Sequence, residues 1–375
     1  MNWYNKALED ITKKVDFTSE RIQDTLPHVS INGTFTDESS NPRWWTNGYW
    51  PGLLWMMYKE TGLDKYKKYA TSAEKKLDPV LNGFYGIDHD AGFQWHLSSV
   101  ARFKILGDED AKRNGMIAAS HLAGRFNPSG NFLRAWNWGG PIEKDPHTGW
   151  AIIDSMMNLP LLYWATEQTN DPRYMNIAMK VADMVLENFI REDGSSHHIV
   201  CFDPKSGKRE KALGGQGYSP ESVWTRGNAW CIYGMALAYK YTKQKRYLVA
   251  AKNAAKFFIE YLAEDFVPVW DFKAPKETHY AKDSSAGAIA ASGMLEISEY
   301  LEGNEKQYFY DAGSNILKAL YKNNGSWDDY SEEALVLNGT VHFPANSNIN
   351  VPIIYGDFFF TEGIRKLNGK KDILW

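Results

Sequence analysis

The chain has 375 residues, 43% of them hydrophobic, which is ample for a large buried core. Its 42 Lys and Arg against 46 Asp and Glu leave a net charge of −4 with both signs interspersed, which excludes a basic nucleic-acid footprint. Only Cys201 and Cys231 occur and no apolar run has membrane-spanning length, so a disulfide framework and a bilayer anchor are excluded and a soluble, reducing, cytoplasmic setting is expected.

Trp3–Gln23 opens the chain with Ala7, Leu8, Ile11, Val15 and Ile22 at helical spacing. Six segments then share one plan: an apolar helix, a short polar turn and a returning amphipathic helix. They begin near WTNGYWPGLLWMMY, HDAGFQWHLSSVARF, IIDSMMNLPLLYW, TRGNAWCIYGMALAY, DSSAGAIAASGMLEI and YGDFFFTEGIRKL. Repetition at several tens of residues predicts stacked helical hairpins. The sixth segment has one helix only, and the amino-terminal helix supplies its partner. The expectation is an all-α (α/α)6 toroid over 1–375 as a single domain, with small β-hairpins only in the loops.

The turns inside each hairpin are short, whereas Asn127–Trp150, Arg191–Ser222, Glu264–Lys282 and Lys322–Ile354 are long. All four must lie on the face where the inner helices begin, and long ordered loops of this kind carry function. SSHHIVCFDPKSGKREKAL reads as a hairpin within them. Six converging helix amino termini favour an anionic ligand at this mouth.

Two acids stand at equivalent places, Asp90 in GIDHDAGF and Asp154 in GWAIID, at the starts of consecutive inner helices. Neighbouring helices run roughly 8–10 Å apart, so both carboxylates would face one cavity. A like-charge pair drives the two pKa values apart, giving a proton donor and an anion. The competing reading is two independent helix caps. Asp88 is a nearby rival, one turn earlier. Pro160 cannot donate to the carbonyl of Met156, so a kink is expected one to two turns after Asp154.

Arg226 in WTRGNAW suits a carboxylate ligand, with a capping salt bridge as the alternative. Trp230, one turn on, is placed to stack over what Arg226 holds. His198 is read either as a ligand contact or as a surface group. Trp44, Trp45, Trp50, Trp95, Trp136, Trp138, Trp150, Trp224 and Trp270 sit beside Gly, Asn, Arg or Asp, a placement that suits stacking on sugar faces. No HExxH, CxxC, GxSxG, Walker or GxGxxG pattern occurs, so no metal and no cofactor are expected.

WTNGYWPGLLW, HDAGF, IIDSMMNLPLL, HH followed by FDP, GGQG, WTRGNAW, KDSSA and YGDFFF, collinear from Trp45 to Leu367, together resemble the unsaturated glucuronyl hydrolases. The resemblance implies the six-hairpin toroid and a metal-free glycoside hydrolase. Its substrates are lyase-generated di- or oligosaccharides, of glycosaminoglycan type, with a 4,5-unsaturated glucuronic acid at the non-reducing end. It implies hydration of the vinyl ether, in which an Asp protonates C4 and helps water add at C5, and the hemiketal then falls apart. It places the acid/base at Asp154 and its partner carboxylate at Asp90. Aromatic walls fall at Trp45, Trp136 and Trp230, and polar contacts at His198, Gln216 and Arg226. Some relatives that accept sulfated fragments carry a Lys with serines before the last inner helix. VHFPANSNINVPIIYGD has no Lys or Arg there, which leans towards unsulfated or differently sulfated substrates, with Lys282 or His342 as substitutes. Competing readings are an unsaturated rhamnogalacturonyl hydrolase, a sugar epimerase and a non-catalytic carbohydrate-binding protein. Nucleic acid and membrane are not expected partners, and the oligomeric expectation is a monomer or weak homo-oligomer.

Overall fold

The computed structural model describes residues 2–83, 87–137, 147–372 and 374–375. Twelve long helical runs occur among them. In chain order they are α1 (Trp3–Ile22), α2 (Tyr49–Thr61), α3 (Asp64–Lys75), α4 (92–106), α5 (Glu109–Gly124) and α6 (155–169). They continue as α7 (Pro172–Asn188), α8 (Thr225–Thr242), α9 (Lys245–Tyr261), α10 (Ser284–Ser298), α11 (Gly303–Asn323) and α12 (Ile354–Leu367).

The even-numbered helices form an inner ring and the odd-numbered ones an outer ring. Burial follows composition. The outer α7 buries only one stripe, Tyr174, Ala178, Val181, Ala182, Met184 and Val185, whereas the inner α10, SSAGAIAASGMLEIS, is buried at every residue. The ring closes where α12 packs on α2, and α1 packs on α12 as its outer partner. Polar punctuation sets the turns. Asp108 and Asp171 accept backbone N–H groups at the starts of α5 and α7, and Gly62, Gly107, Asn170 and Lys243 end four inner helices in the left-handed region.

Two inner helices depart from regular α geometry beside the expected acids. In α4, Gly92–Val100 is a π-helix before Ala101–Leu106 continues as α. In α6, Ser155–Asn158 and Pro160–Thr169 are separate runs broken at Leu159, as the proline demands. The third expected helix start is partly strand. Trp150–Ile152 pairs antiparallel with Ile199–Phe202, which pairs with Arg209–Leu213 in the predicted hairpin. Asp203 closes that hairpin's turn by accepting the N–H groups of Lys205 and Ser206. A second hairpin, Pro27–Ile31 with Thr34–Asp37, lies between α1 and α2. Single bridges tie the loops of the mouth to one another, Val29 with Ile353, Trp224 with Asp271, Val269 with Lys282 and Gly339 with Val351.

No helix among the described residues is long and apolar enough to cross a membrane.

The backbones of α4 and α6 touch at Gly92. A Cβ added there would lie 2.5 Å from Asn158 Cα and 2.8 Å from its carbonyl oxygen, so the two segments must part to admit one. Gly92→Ala is expected to cost about 1–3 kcal/mol of stability through overpacking, read as a lowered midpoint in urea unfolding at unchanged slope.

Candidate active site

Asp154 stands one residue beyond the Trp150–Ile152 strand, and the pairing extends through the residue between, since Ile153 N–H donates to the carbonyl of His198 at 3.0 Å. One sheet therefore positions both Asp154 and His198. Asp154 makes no side-chain capping bond to its helix, and its Oδ1 is buried without a partner. The capping reading thus fails for Asp154. Burial lifts its pKa to about 7, against the pull of the Arg226 charge and a backbone hydrogen bond.

Asp90 immediately precedes α4 and is 6% exposed. Its N–H donates to Asp88 Oδ1 at 2.9 Å, so the rival acid shapes the turn that presents Asp90. Asn158, fully buried, joins the two candidate acids. Its Nδ2 donates to Asp90 Oδ1 at 3.3 Å and to the Asp154 carbonyl at 3.1 Å, while its Oδ1 accepts Phe93 N–H at 2.9 Å. Burial first, then repulsion from Asp88 and Asp154, holds the Asp90 carboxyl well above the usual range. The expected split into one raised and one ordinary carboxyl is not seen: burial raises both, and at Asp90 the charges of Asp88 and Asp154 add to it. His89 Nε2 lies 3.4 Å from Asp90 Oδ1, and burial keeps that imidazole neutral with its pKa pushed down to about 3.

Arg226 is 1% exposed and paired with Asp283, while its Nη1 and Nη2 also donate to the carbonyls of Thr340 at 2.6 Å and Val341 at 2.8 Å. The capping salt bridge is thus present, since Asp283 also accepts Ala286 N–H at the start of α10. The Arg226 Nε remains buried and unpartnered. The Trp224 ring lies between the Arg226 guanidinium, 4.6 Å away, and the His198 ring, 4.2 Å away. His198 is 6% exposed, with Nδ1 within 3.1 Å of the Gly214 carbonyl and 3.0 Å of Gln216 N–H. Its Nε2 has no partner, and burial takes its pKa down to about 3, so the ring is neutral. Gln216 Nε2 donates to the Val341 carbonyl at 2.7 Å, the acceptor that Arg226 also uses.

The aromatic expectations divide. Trp45 is half-buried and packs on Tyr355 at 5.0 Å and Phe93 at 5.5 Å. Trp136 is half-buried beside His89 at 6.2 Å. Trp230 is 0% exposed and wedged between Phe93 at 5.1 Å and Phe359 at 5.5 Å. Its ring faces are occupied by protein, so the expected open sugar platform becomes a buried floor whose Nε1 lacks a partner. Trp50, Trp95 and Trp270 belong to the core, and Trp138 lies outside the described residues.

Tyr49 and Tyr355 were not anticipated. Both hydroxyls are buried and unpartnered, and both lie within electrostatic range of Asp154 and Arg226. Asn158 was also missed, although its spacing of four from Asp154 marks a shared helix face. Buried polar atoms are nearly always hydrogen-bonded, so Asp154 Oδ1, His198 Nε2, Arg226 Nε and the two tyrosine hydroxyls form a set that a polar ligand would complete. No cluster of three or more metal-ligating side chains occurs among the described residues. A separate cavity of about 850 Å³, lined by Met116, Ile117, Arg125 and Arg134 among others, contains neither acid of the pair.

The model of Glycosyl Hydrolase Family 88 matches residues 18–251. The unsaturated glucuronyl hydrolase of Bacillus sp. (strain GL1) is 35% identical over 351 residues, 93% of this chain and 92% of that protein. A crystal structure of the unsaturated glucuronyl hydrolase from Bacillus sp. GL1 superposes with a TM-score of 0.93 at 33% identity, covering 99% of both chains. A mutant unsaturated glucuronyl hydrolase from Streptococcus agalactiae, solved with dGlcA-GalNAc6S, superposes with a TM-score of 0.84 at 27% identity, over 99% of this chain and 93% of that one. The hairpin ring is thus that of a relative of these hydrolases, and the chain belongs to glycosyl hydrolase family 88.

Proposed function

We propose that the enzyme removes 4,5-unsaturated glucuronic acid from the non-reducing end of lyase-generated, glycosaminoglycan-type oligosaccharides by hydrating the vinyl ether. The observation that carries this reading is an Asp154 carboxyl with a free buried oxygen and a pKa near 7, tied through Asn158 to a second acid. A group with that pKa is suited to give a proton and then take one. Asp154 transfers its proton to C4, positive charge develops at C5, and the resulting carboxylate draws a proton from the water that adds there. The hemiketal at C5 then opens, releasing the shortened sugar and a keto-uronate. Asp90 hydrogen-bonds the bound sugar beside the reacting carbons. Trp45 and Trp136 wall the ring, Trp230 forms the floor, and His198 Nε2, Gln216 and Arg226 contact the unsaturated uronate. The relative bound to dGlcA-GalNAc6S supports the substrate class.

The leaving-group side favours unsulfated sugars. Lys282 is drawn away by Asp265, at 2.8 Å, and by the Val267 carbonyl. Burial keeps the His342 pKa below its ordinary value, leaving the imidazole neutral at pH 7. We further read the chain as one catalytic domain, monomeric or weakly self-associating and cytoplasmic, with its two buried free cysteines suited to a reducing compartment.

Incubation with an unsaturated chondroitin or hyaluronan disaccharide should abolish the ultraviolet absorbance of the enol ether with wild type. Asp154→Asn should lower the rate by a factor of roughly 10²–10⁴, the range for a lost general acid. In heavy water deuterium should appear at C4; no label there excludes vinyl-ether hydration. Unchanged absorbance on both glycosaminoglycan and pectin fragments rejects the hydrolase reading.

Because Asp154 must be protonated to begin the cycle, kcat/KM should fall about tenfold per pH unit above pH 7. A profile flat to high pH assigns the proton to another group. The same carboxyl has a linked effect on stability. Its folded pKa is raised from 3.8 to about 7, so its contribution favours folding below the unfolded value and is lost as pH rises through 7. Asp154→Asn should therefore be more stable than wild type at alkaline pH, by on the order of 1 kcal/mol in urea unfolding, and the gap should shrink on acidification.

A further inference from the structure

At the end of the ring opposite the mouth, the chain turns inward. The Leu374 carbonyl accepts from Lys104 Nζ at 2.7 Å and from His96 Nε2 at 3.0 Å, and the main-chain oxygen of Trp375 accepts from Lys240 Nζ at 2.9 Å. Lys104 and Lys240 lie near the carboxyl-terminal ends of α4 and α8, whereas Asp90 and Arg226 lie at their starts. The Trp375 side chain is 1% exposed. It is nearly parallel to Phe359, at 3° and 6.0 Å, and to His96, at 11° and 5.7 Å, with its edge on Phe93 at 6.2 Å.

Those neighbours lead directly to the acids. Phe93 and Phe359 are the two rings that enclose Trp230, and both also touch Tyr49, at 5.6 and 5.8 Å. Phe93 N–H is the donor that fixes Asn158, whose amide holds Asp90 Oδ1 and the Asp154 carbonyl. His96 and Phe93 both belong to the π-helical part of α4, the run that Asp90 precedes by two residues.

We infer that Trp375 is a positioning residue for the acid pair: it fills the ring axis from below and fixes Phe93, and through Asn158 the separation of Asp90 and Asp154. The inference rests on the hydrolase reading above. A protein interior transmits the loss of a large ring as a void that its lining collapses into, and small displacements of catalytic groups are costly to turnover.

The test compares wild type with Trp375→Gly and Trp375→Phe on the unsaturated disaccharide, at a temperature where circular dichroism shows each variant folded. Trp375→Gly should lower kcat by roughly 10- to 100-fold with KM little changed, and should shift the basic limb of its pH profile. Added indole should restore most of the lost turnover in Trp375→Gly and leave wild type unaffected, while Trp375→Phe should retain intermediate activity. Full activity of Trp375→Gly overturns the inference. So does a loss that merely tracks the unfolded fraction, or one that indole does not repair in folded protein. A wild type that neither binds nor consumes the disaccharide overturns both readings, and is recognised without any variant.

Discussion

The amide of Asn158 is the contact on which the site depends. One buried side chain accepts from the backbone of α4, donates to Asp90 and donates to the carbonyl of Asp154. It can do so only because Gly92 lets the two backbones meet. Two acids brought this close in a dry setting repel, and the low dielectric that magnifies their repulsion also lifts their affinity for protons. The fold thus keeps a carboxyl protonated near neutral pH by placement: the ring of hairpins sets the distance, and the amide fixes it.

Around that contact the site is built from loops that brace one another. Trp224 separates the imidazole of His198 from the guanidinium of Arg226, and the Val341 carbonyl receives both Arg226 and Gln216. The Arg226–Asp283 pair is almost wholly removed from water, where ion pairs survive only when their remaining donors and acceptors are also met. Carbonyls of Thr340 and Val341 meet them here, leaving Nε as the unclaimed donor. A ligand carboxylate arriving at this arginine therefore meets a group already oriented, so little rotamer freedom remains to be lost on binding.

Much of this architecture was legible in the chain. Hairpin repetition and the proline of α6 each announce themselves through periodicity or backbone chemistry. The Trp150–Ile152 strand did not, since three apolar residues running into a helix carry no period of their own. The π-helical stretch of α4 was equally silent, because all nine residues are buried and no polar face marks the change in pitch. Asp154 and Asp90 were readable as a pair, but that burial raises both carboxyls follows from the packing of other helices and loops around them, which the chain does not spell out. The burial of Trp230 was not legible for a related reason: its spacing from Arg226 is that of a shared helix face, whereas its contacts with Phe93 and Phe359 come from other helices.

The three-stranded sheet at the mouth has a consequence for tolerance to change. Asp154 and His198 hang from adjacent rungs, joined through the amide of Ile153, whereas the outer strand, Arg209–Leu213, faces solvent along much of its length. The alignment of the proton donor with the imidazole is therefore set by main-chain pairing between two buried strands. Side chains along the exposed outer strand are free to vary without disturbing it, as long as that pairing holds.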